Sequence, residues 1–192
     1  MKNFIYFFVI LVLIVSCKNK KPLKTEKSNS DTTSFYALNT FFKEQIVDVD
    51  LRAYSIYLIK ELNGKKDSIS IDKDQFKNLA STFLNKDVST PEMHEKYTES
   101  VFHDLSTNSY TLNYRPKSVN EPIQNIDILL DEHTNIVKRV FIRIETMHKD
   151  TSIIEQWNWK ADKSFQINRF SKTPGGYVSN EFNYVNWNDR KK

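Results

Sequence analysis

The sequence predicts an α+β fold in which two N-terminal helices pack on a curved antiparallel β-meander of about six to eight strands. Apolar residues recur at helical spacing in the first part of the folded region, and they alternate with polar residues from Tyr97 onward. The alternating segments follow one another every 10–15 residues with turn residues between them, which is typical of an antiparallel sheet. A flat sheet would leave its apolar face in water, so we expect this one to curl over a helix.

Two segments have the periodicity of amphipathic helices. The apolar face of the first is formed by Leu38, Phe41, Phe42 and Ile46. That of the second is formed by Phe76, Leu79, Ala80, Phe83 and Leu84. Asp72 or Asp74 is placed to cap the start of the second helix, which should end before Pro91.

The strands are separated by residues that favour turns. Asn63-Gly64 lies between two alternating runs, and this dipeptide predicts a two-residue hairpin because both turn positions take a positive φ. The later strands centre on residues 101–104, 110–114, 126–130, 140–144, 153–160, 165–170 and 177–187. Loops at Pro116–Pro122 and Pro174–Gly176 complete the pattern.

The N-terminus has the features of a secretory signal peptide. Lys2 precedes twelve apolar residues, Phe4 to Val15, and these are followed by Ser16-Cys17. Ile14-Val15-Ser16-Cys17 resembles the lipobox of bacterial lipoproteins. The resemblance implies cleavage between Ser16 and Cys17 and attachment of lipid, palmitate among its acyl chains, to Cys17.

Two other interpretations of this segment are open. A transmembrane anchor would need about 20 apolar residues to cross a core of about 30 Å, and twelve rise only about 18 Å as a helix. Cleavage without lipidation would leave Cys17, the one cysteine of the chain, as an unpaired thiol in an oxidising compartment. The lipoprotein interpretation avoids both difficulties.

The excess positive charge lies outside the predicted domain. The chain carries a net charge of +4, but residues 35–192 contain 22 basic and 22 acidic side chains. We therefore divide the chain into a signal peptide (1–16), a disordered basic tether (17–34) and a single domain (35–192). A neutral domain offers no general attraction for nucleic acid, so we expect no nucleic-acid partner.

No catalytic, metal or cofactor site is predicted. The three glycines form no phosphate cradle, dinucleotide fingerprint or nucleophile elbow. His94, His103, His133 and His148 are dispersed without ligand spacing. We expect a protein that is not an enzyme and uses no cofactor.

The best candidate binding surface is predicted on the hairpin of residues 138–160. If the turn centres near Lys149, Arg139, Phe141 and Arg143 share one face with Trp157 and Trp159 of the return strand. These cross-strand pairs either fix the strand register or form a patch for a protein or glycan, since Trp and Arg are common anchors of interfaces. The patch interpretation requires that both tryptophans contact solvent.

The organisation as a whole resembles uncharacterised small lipoproteins of the Bacteroidota. The resemblance rests on the lipobox, Asn63-Gly64, residues 135–144 and Gly175-Gly176-Tyr177. It implies a lipid-anchored protein of the cell envelope. Surface-exported lipoproteins of this group carry acidic residues after the cysteine, whereas this chain has Lys18-Asn19-Lys20-Lys21, which favours the periplasm-facing leaflet of the outer membrane.

Three functions from different classes remain open. The first is a binding or accessory role with an envelope protein or polysaccharide partner. The second is a lipid or acyl-chain carrier with a cavity in the curved sheet, and the third is a hydrolase with an unrecognised site.

Overall fold

The computed structural model describes residues 35–189, which form three α-helices, one 3-10 helix and nine strands. The helices are α1 (Leu38–Leu51), α2 (Lys73–Ser81) and α3 (Pro91–Lys96), and the 3-10 helix is Thr82–Lys86. The strands are β1 (Ile56–Leu62), β2 (Lys65–Ile71), β3 (Tyr97–Asp104), β4 (Ser109–Pro116), β5 (Ile123–Asp131), β6 (Val137–His148), β7 (Thr151–Lys160), β8 (Ser164–Lys172) and β9 (Val178–Asn186).

All nine strands belong to one antiparallel sheet. Its order is β2-β1-β9-β8-β7-β6-β5-β4-β3, so β3 to β9 form an uninterrupted meander. The first hairpin, β1–β2, joins the sheet beside the last strand, with Tyr57 opposite Asn186 and Leu62 opposite Glu181. The two edges of the sheet are therefore β2 and β3.

The predicted combination of an antiparallel sheet with helices is confirmed. The meander β3–β9 has seven strands, within the predicted six to eight, and the β1–β2 hairpin brings the whole sheet to nine strands. The helices do not stand together at the N-terminus, because the hairpin predicted at Asn63-Gly64 separates α1 from α2, and a third helix, which was not predicted, begins at Pro91. Proline is favoured in the first turn of a helix, where its missing N–H has no partner to lose.

Two local predictions are confirmed in the first hairpin and the second helix. Asn63 and Gly64 have φ angles of 49° and 83°, as the two-residue turn requires. The Asp72 carboxylate accepts the N–H of Gln75 at 2.7 Å, and the Gln75 side chain accepts the N–H of Asp72 at 3.1 Å. This reciprocal pair is a capping box and fixes the start of α2.

The core lies on one face of the sheet, which we call the inner face. Aromatic residues of α1, α2 and the 3-10 helix pack there on rings from β7, β8 and the segment after β9. Phe83 is central, with its ring centroid 4.9 Å from those of Trp157 and Trp159 and 5.2 Å from those of Phe42 and Phe165. The opposite side of the sheet, which we call the outer face, carries none of these helical contacts.

The first described residues, Phe35 and Tyr36, pack on the inner face of the sheet. The backbone N–H of Tyr36 donates to Tyr114 Oη at 3.0 Å, and that hydroxyl donates to the Glu99 carboxylate at 2.6 Å. Burial of Tyr114 raises the pKa of its hydroxyl above the usual range, so the donor stays protonated. Phe35 stacks on His94 with ring centroids 4.0 Å apart. The predicted signal peptide and tether lie outside the described residues.

Candidate functional site

The outer face carries four amide side chains on two neighbouring central strands. Gln156 and Asn158 alternate along β7, and Gln166 and Asn168 alternate along β8. The register pairs Asn158 with Gln166 and Gln156 with Asn168, so the four side chains point the same way from adjacent positions. We call these four residues the amide platform.

None of the four amides makes a side-chain hydrogen bond within residues 35–189. Each is half-buried, although none of the helices described in residues 35–189 packs on this face. Oδ1 of Asn168 is buried and has no hydrogen-bond partner among the described residues. A primary amide offers two donors and one acceptor, so the platform presents a set of uncommitted hydrogen-bonding groups.

Aromatic rings flank the platform on both sides. Phe141 of β6 lies opposite Asn158. On β9, Tyr184 lies opposite Gln166 and Phe182 opposite Asn168. The rings of Phe182 and Tyr184 are parallel within 9° and their centroids are 6.4 Å apart. All three rings are half-buried, which leaves part of each ring accessible from the outer face.

A polar cavity of about 190 Å³ continues the platform at one end. Its central group is the carboxylate of Asp189, which accepts Lys160 Nζ at 2.7 Å, Tyr184 Oη at 3.2 Å and Ser164 Oγ at 3.3 Å. Lys160 is the main reason that the pKa of Asp189 lies below its ordinary value. Burial raises the pKa of Tyr184, so its hydroxyl remains a donor and holds the ring in place.

Charges around the platform nearly cancel. Lys160 is paired with Asp189, and Arg143 donates through Nε to Glu145 at 2.8 Å. Arg139, which lies opposite Lys160, has no ion-pair partner among residues 35–189 and is exposed. The site is therefore a polar surface with little net charge.

The patch predicted from the sequence is divided between the two faces of the sheet. Arg139, Phe141 and Arg143 lie on the outer face, whereas Trp157 and Trp159 are core residues of the inner face with exposures of 5% and 0%. The prediction that these five residues share a face is wrong.

The cause is the length of the turn between β6 and β7. The turn contains two residues, Lys149 and Asp150, so Arg143 lies opposite Gln156 rather than Glu155. A shift of one residue moves every side chain of a strand to the other face. The amide platform was missed for the same reason, although Asn and Gln at alternate positions of two neighbouring strands were visible in the sequence.

A charged cluster on the inner face is a second candidate. Arg169 contacts Glu155 at 2.6 Å and Glu181 at 3.6 Å, and Trp157 Nε1 donates to Glu155 at 3.2 Å. The adjoining cavity has a volume of about 130 Å³. Every charge in this cluster is paired within it, so we interpret it as a structural network.

Among the described residues, side chains fill the space where the helices pack on the inner face. Rings from the helices and the sheet meet directly between the two layers, as Phe42 does with Trp159 at 5.2 Å between centroids. An apolar cavity beside α1, near Ile46 and Phe76, has a volume of only about 50 Å³. Small-molecule sites generally occupy about 300–1,000 Å³.

The remaining predicted site residues are placed as follows. Ser16 and Cys17 lie outside the described residues. His103 contacts Glu132 at 2.9 Å and stacks on Tyr110 with centroids 4.3 Å apart. Within residues 35–189 no group of three His, Cys, Asp or Glu residues has the geometry of a metal site, and no helix is long and apolar enough to cross a membrane.

Comparisons with known proteins identify no family for this chain. No family model matches the sequence, and neither does any curated protein. Among solved structures, the chain is similar to the S-type phycobiliprotein lyase CPES from Guillardia theta at 12% identity. The match covers 83% of this chain and 96% of the lyase, with a TM-score of 0.26, too low to carry an argument about fold or function.

Proposed function

We propose that this chain is a lipid-anchored lipoprotein of the bacterial cell envelope, facing the periplasm from the outer membrane. Its folded domain is a non-enzymatic binding module that holds an envelope protein or polysaccharide partner on the outer face of the sheet. The observation that carries the binding role is the amide platform, whose four uncommitted amides lie between accessible aromatic rings. The lipobox-like sequence ending at Cys17 supports the anchor.

We also propose that the sheet curves around α1. Nine strands side by side would extend about 38 Å if flat, whereas a 14-residue helix is about 21 Å long. Buried residues nevertheless occur on strands from both ends of the sheet order, including Ile71 of β2 and Tyr97 of β3. Curvature brings these distant strands against the same small helical layer.

The anchor is tested at Cys17. Cells fed an alkyne analogue of palmitate should incorporate label into the wild-type protein, and Cys17→Ser should abolish both the label and recovery with the membrane fraction. Lys18→Ser is the matched control, because it changes the neighbouring residue and leaves the thiol in place. Equal labelling of the wild type and Cys17→Ser would refute lipid attachment.

The binding face is tested by protection of introduced cysteines. In the proposed lipoprotein the sulfur of Cys17 is already alkylated, so a single added cysteine reports one position. A maleimide–polyethylene glycol reagent should modify Phe170→Cys, on the outer face of β8 two residues after Asn168 and outside the platform, more slowly in permeabilised cells than in the purified protein. Lys43→Cys on the exposed side of α1 is the control and should react at equal rates in both. Equal rates at Phe170→Cys would refute occupation of the outer face.

A further inference from the structure

We infer that the amide platform binds an uncharged oligosaccharide chain. This inference rests on the proposed binding function and names the chemical class of the ligand. Four observations carry it: the uncommitted amides, the flanking rings, the balanced charge and the unpartnered oxygen of Asn168.

Amides match the hydrogen-bonding pattern of neighbouring hydroxyl groups. A sugar hydroxyl both donates and accepts, and each amide of the platform does the same through its N–H₂ and C=O groups. The pairs Asn158–Gln166 and Gln156–Asn168 place two such side chains next to each other on adjacent strands, about 4.8 Å apart. Each pair can therefore bind two adjacent hydroxyls of one ring.

The flanking rings extend the surface beyond one sugar unit. The platform and its flanking rings together span three strand spacings, about 14 Å, from Phe141 on β6 to Tyr184 on β9. The C–H groups on one side of a sugar ring form an apolar patch that packs on an aromatic face, as other apolar groups do. The hydrogen bond from Tyr184 Oη to Asp189 fixes that ring before a ligand arrives, which lowers the entropic cost of binding.

The charge distribution disfavours an anionic ligand. The cations nearest the amides are Arg143 and Lys160, and each is already paired with a carboxylate. Only Arg139 at one margin has no partner within residues 35–189. A phosphate or uronate chain would therefore meet only one available cation beside the platform among the described residues, Arg139.

The composition of the platform also disfavours a protein partner. The centre of a protein interface is usually formed by desolvated aromatic, apolar or arginine anchors surrounded by a polar rim. Here the arrangement is reversed, since the central positions are amides and the rings stand at the sides. This arrangement suits a ligand that is polar along its whole length.

The Asn168 oxygen is one of three buried side-chain atoms, with Asn39 Oδ1 and Trp187 Nε1, that have no hydrogen-bond partner among the described residues, and it alone belongs to the platform. An unsatisfied buried acceptor lowers stability, and native proteins keep few of them. Rotation of the Asn168 amide would bring its oxygen toward the outer face, where a ligand hydroxyl can donate to it. The site thus has a polar atom whose pairing requires a donor from outside the described residues.

Isothermal titration with defined hexasaccharides tests the inference on the full chain in a polyoxyethylene detergent, whose headgroup carries no sugar. The probes are cello-, xylo-, manno- and maltohexaose, and the charged comparator is hexagalacturonate. We expect at least one neutral probe to bind and hexagalacturonate to bind at least tenfold more weakly than that probe. The double variant Asn158→Ala/Gln166→Ala and the variant Phe182→Leu should each weaken binding of that probe at least tenfold.

Two matched controls separate the platform from general effects of substitution. Asn120→Ala removes an exposed amide in the loop before β5, and Phe102→Leu removes an exposed ring on the edge strand β3. Both should bind the probe like the wild type. Circular dichroism spectra that match the wild type confirm that the platform variants are folded.

Three results would overturn the inference. These are no binding by any neutral probe, tighter binding of hexagalacturonate, or unchanged binding by the double variant. If the neutral probes fail but Phe170→Cys is still protected in cells, the binding function stands and a protein replaces the saccharide as partner. If the protection is also absent, both proposals fall.

Discussion

Phe83 should be among the most sensitive core positions of the protein. Its side chain is 1% exposed and touches four aromatic rings that belong to both layers of the core. Replacing a fully buried Phe by Ala costs about 3–5 kcal/mol, from the lost transfer free energy and the cavity that remains. Small domains have a total stability of about 5–15 kcal/mol, so Phe83→Ala removes a large part of it.

Urea unfolding followed by tryptophan fluorescence measures this cost. Trp157, Trp159 and Trp187 are each no more than 5% exposed, so the signal reports the core around Phe83. With a urea m-value of about 2 kcal/mol/M, a loss of about 4 kcal/mol lowers the unfolding midpoint by about 2 M. Phe83→Leu keeps most of the apolar volume and should lower the midpoint by much less.

Phe102→Ala is the matched control for this measurement. It makes the same chemical change at a ring that is 64% exposed on β3, and it should shift the free energy of unfolding by no more than about 0.5 kcal/mol. Equal midpoints for Phe83→Ala and Phe102→Ala would refute the reasoning. That result would mean that Phe83 does not pack against the tryptophans of β7.

Three further predictions concern the turn, the polar cavity and the helix cap. Gly64→Ala should destabilise the protein by about 1 kcal/mol in thermal unfolding because its φ is +83°, while Gly175→Ala, at a position without that constraint, should change stability little. The pKa of Asp189 is lowered in the folded state by Lys160, so the carboxylate stabilises the fold above the unfolded pKa of about 3.9. The stability difference between wild type and Asp189→Asn should therefore be present at pH 7 and shrink as the pH falls below about 4; a constant difference would contradict the linkage. Asp72→Ala should cost about 1 kcal/mol in urea unfolding, and an unchanged midpoint would show that the capping box is not needed.

Local features of the fold followed from the sequence because a few neighbouring residues determine them. The turn at Asn63-Gly64 depends on two residues that accept a positive φ. The start of α2 depends on Asp72 and on Gln75 three residues later. In both cases the deciding interaction is contained in a short stretch of chain.

The candidate site did not follow from the sequence because it depends on register. Glu155 shares the face of Trp157, and its carboxylate is paired with Arg169 on β8, fourteen residues away. No local pattern shows that this glutamate has a partner on the inner face. Once Trp157 and Trp159 are placed on the inner face, Gln156 and Asn158, which alternate with them, must face outward.

The pairing of β1 with β9 has a consequence for how the domain folds. Tyr57 lies opposite Asn186, so contacts at this seam join residues more than one hundred positions apart. Long-range pairing slows folding because the entropy of closing the loop is lost before the contacts form. β1 can gain its second neighbour only when β9 is available. A chain that stops before Val178 would therefore leave β1 as an unprotected edge strand, open to association with other chains.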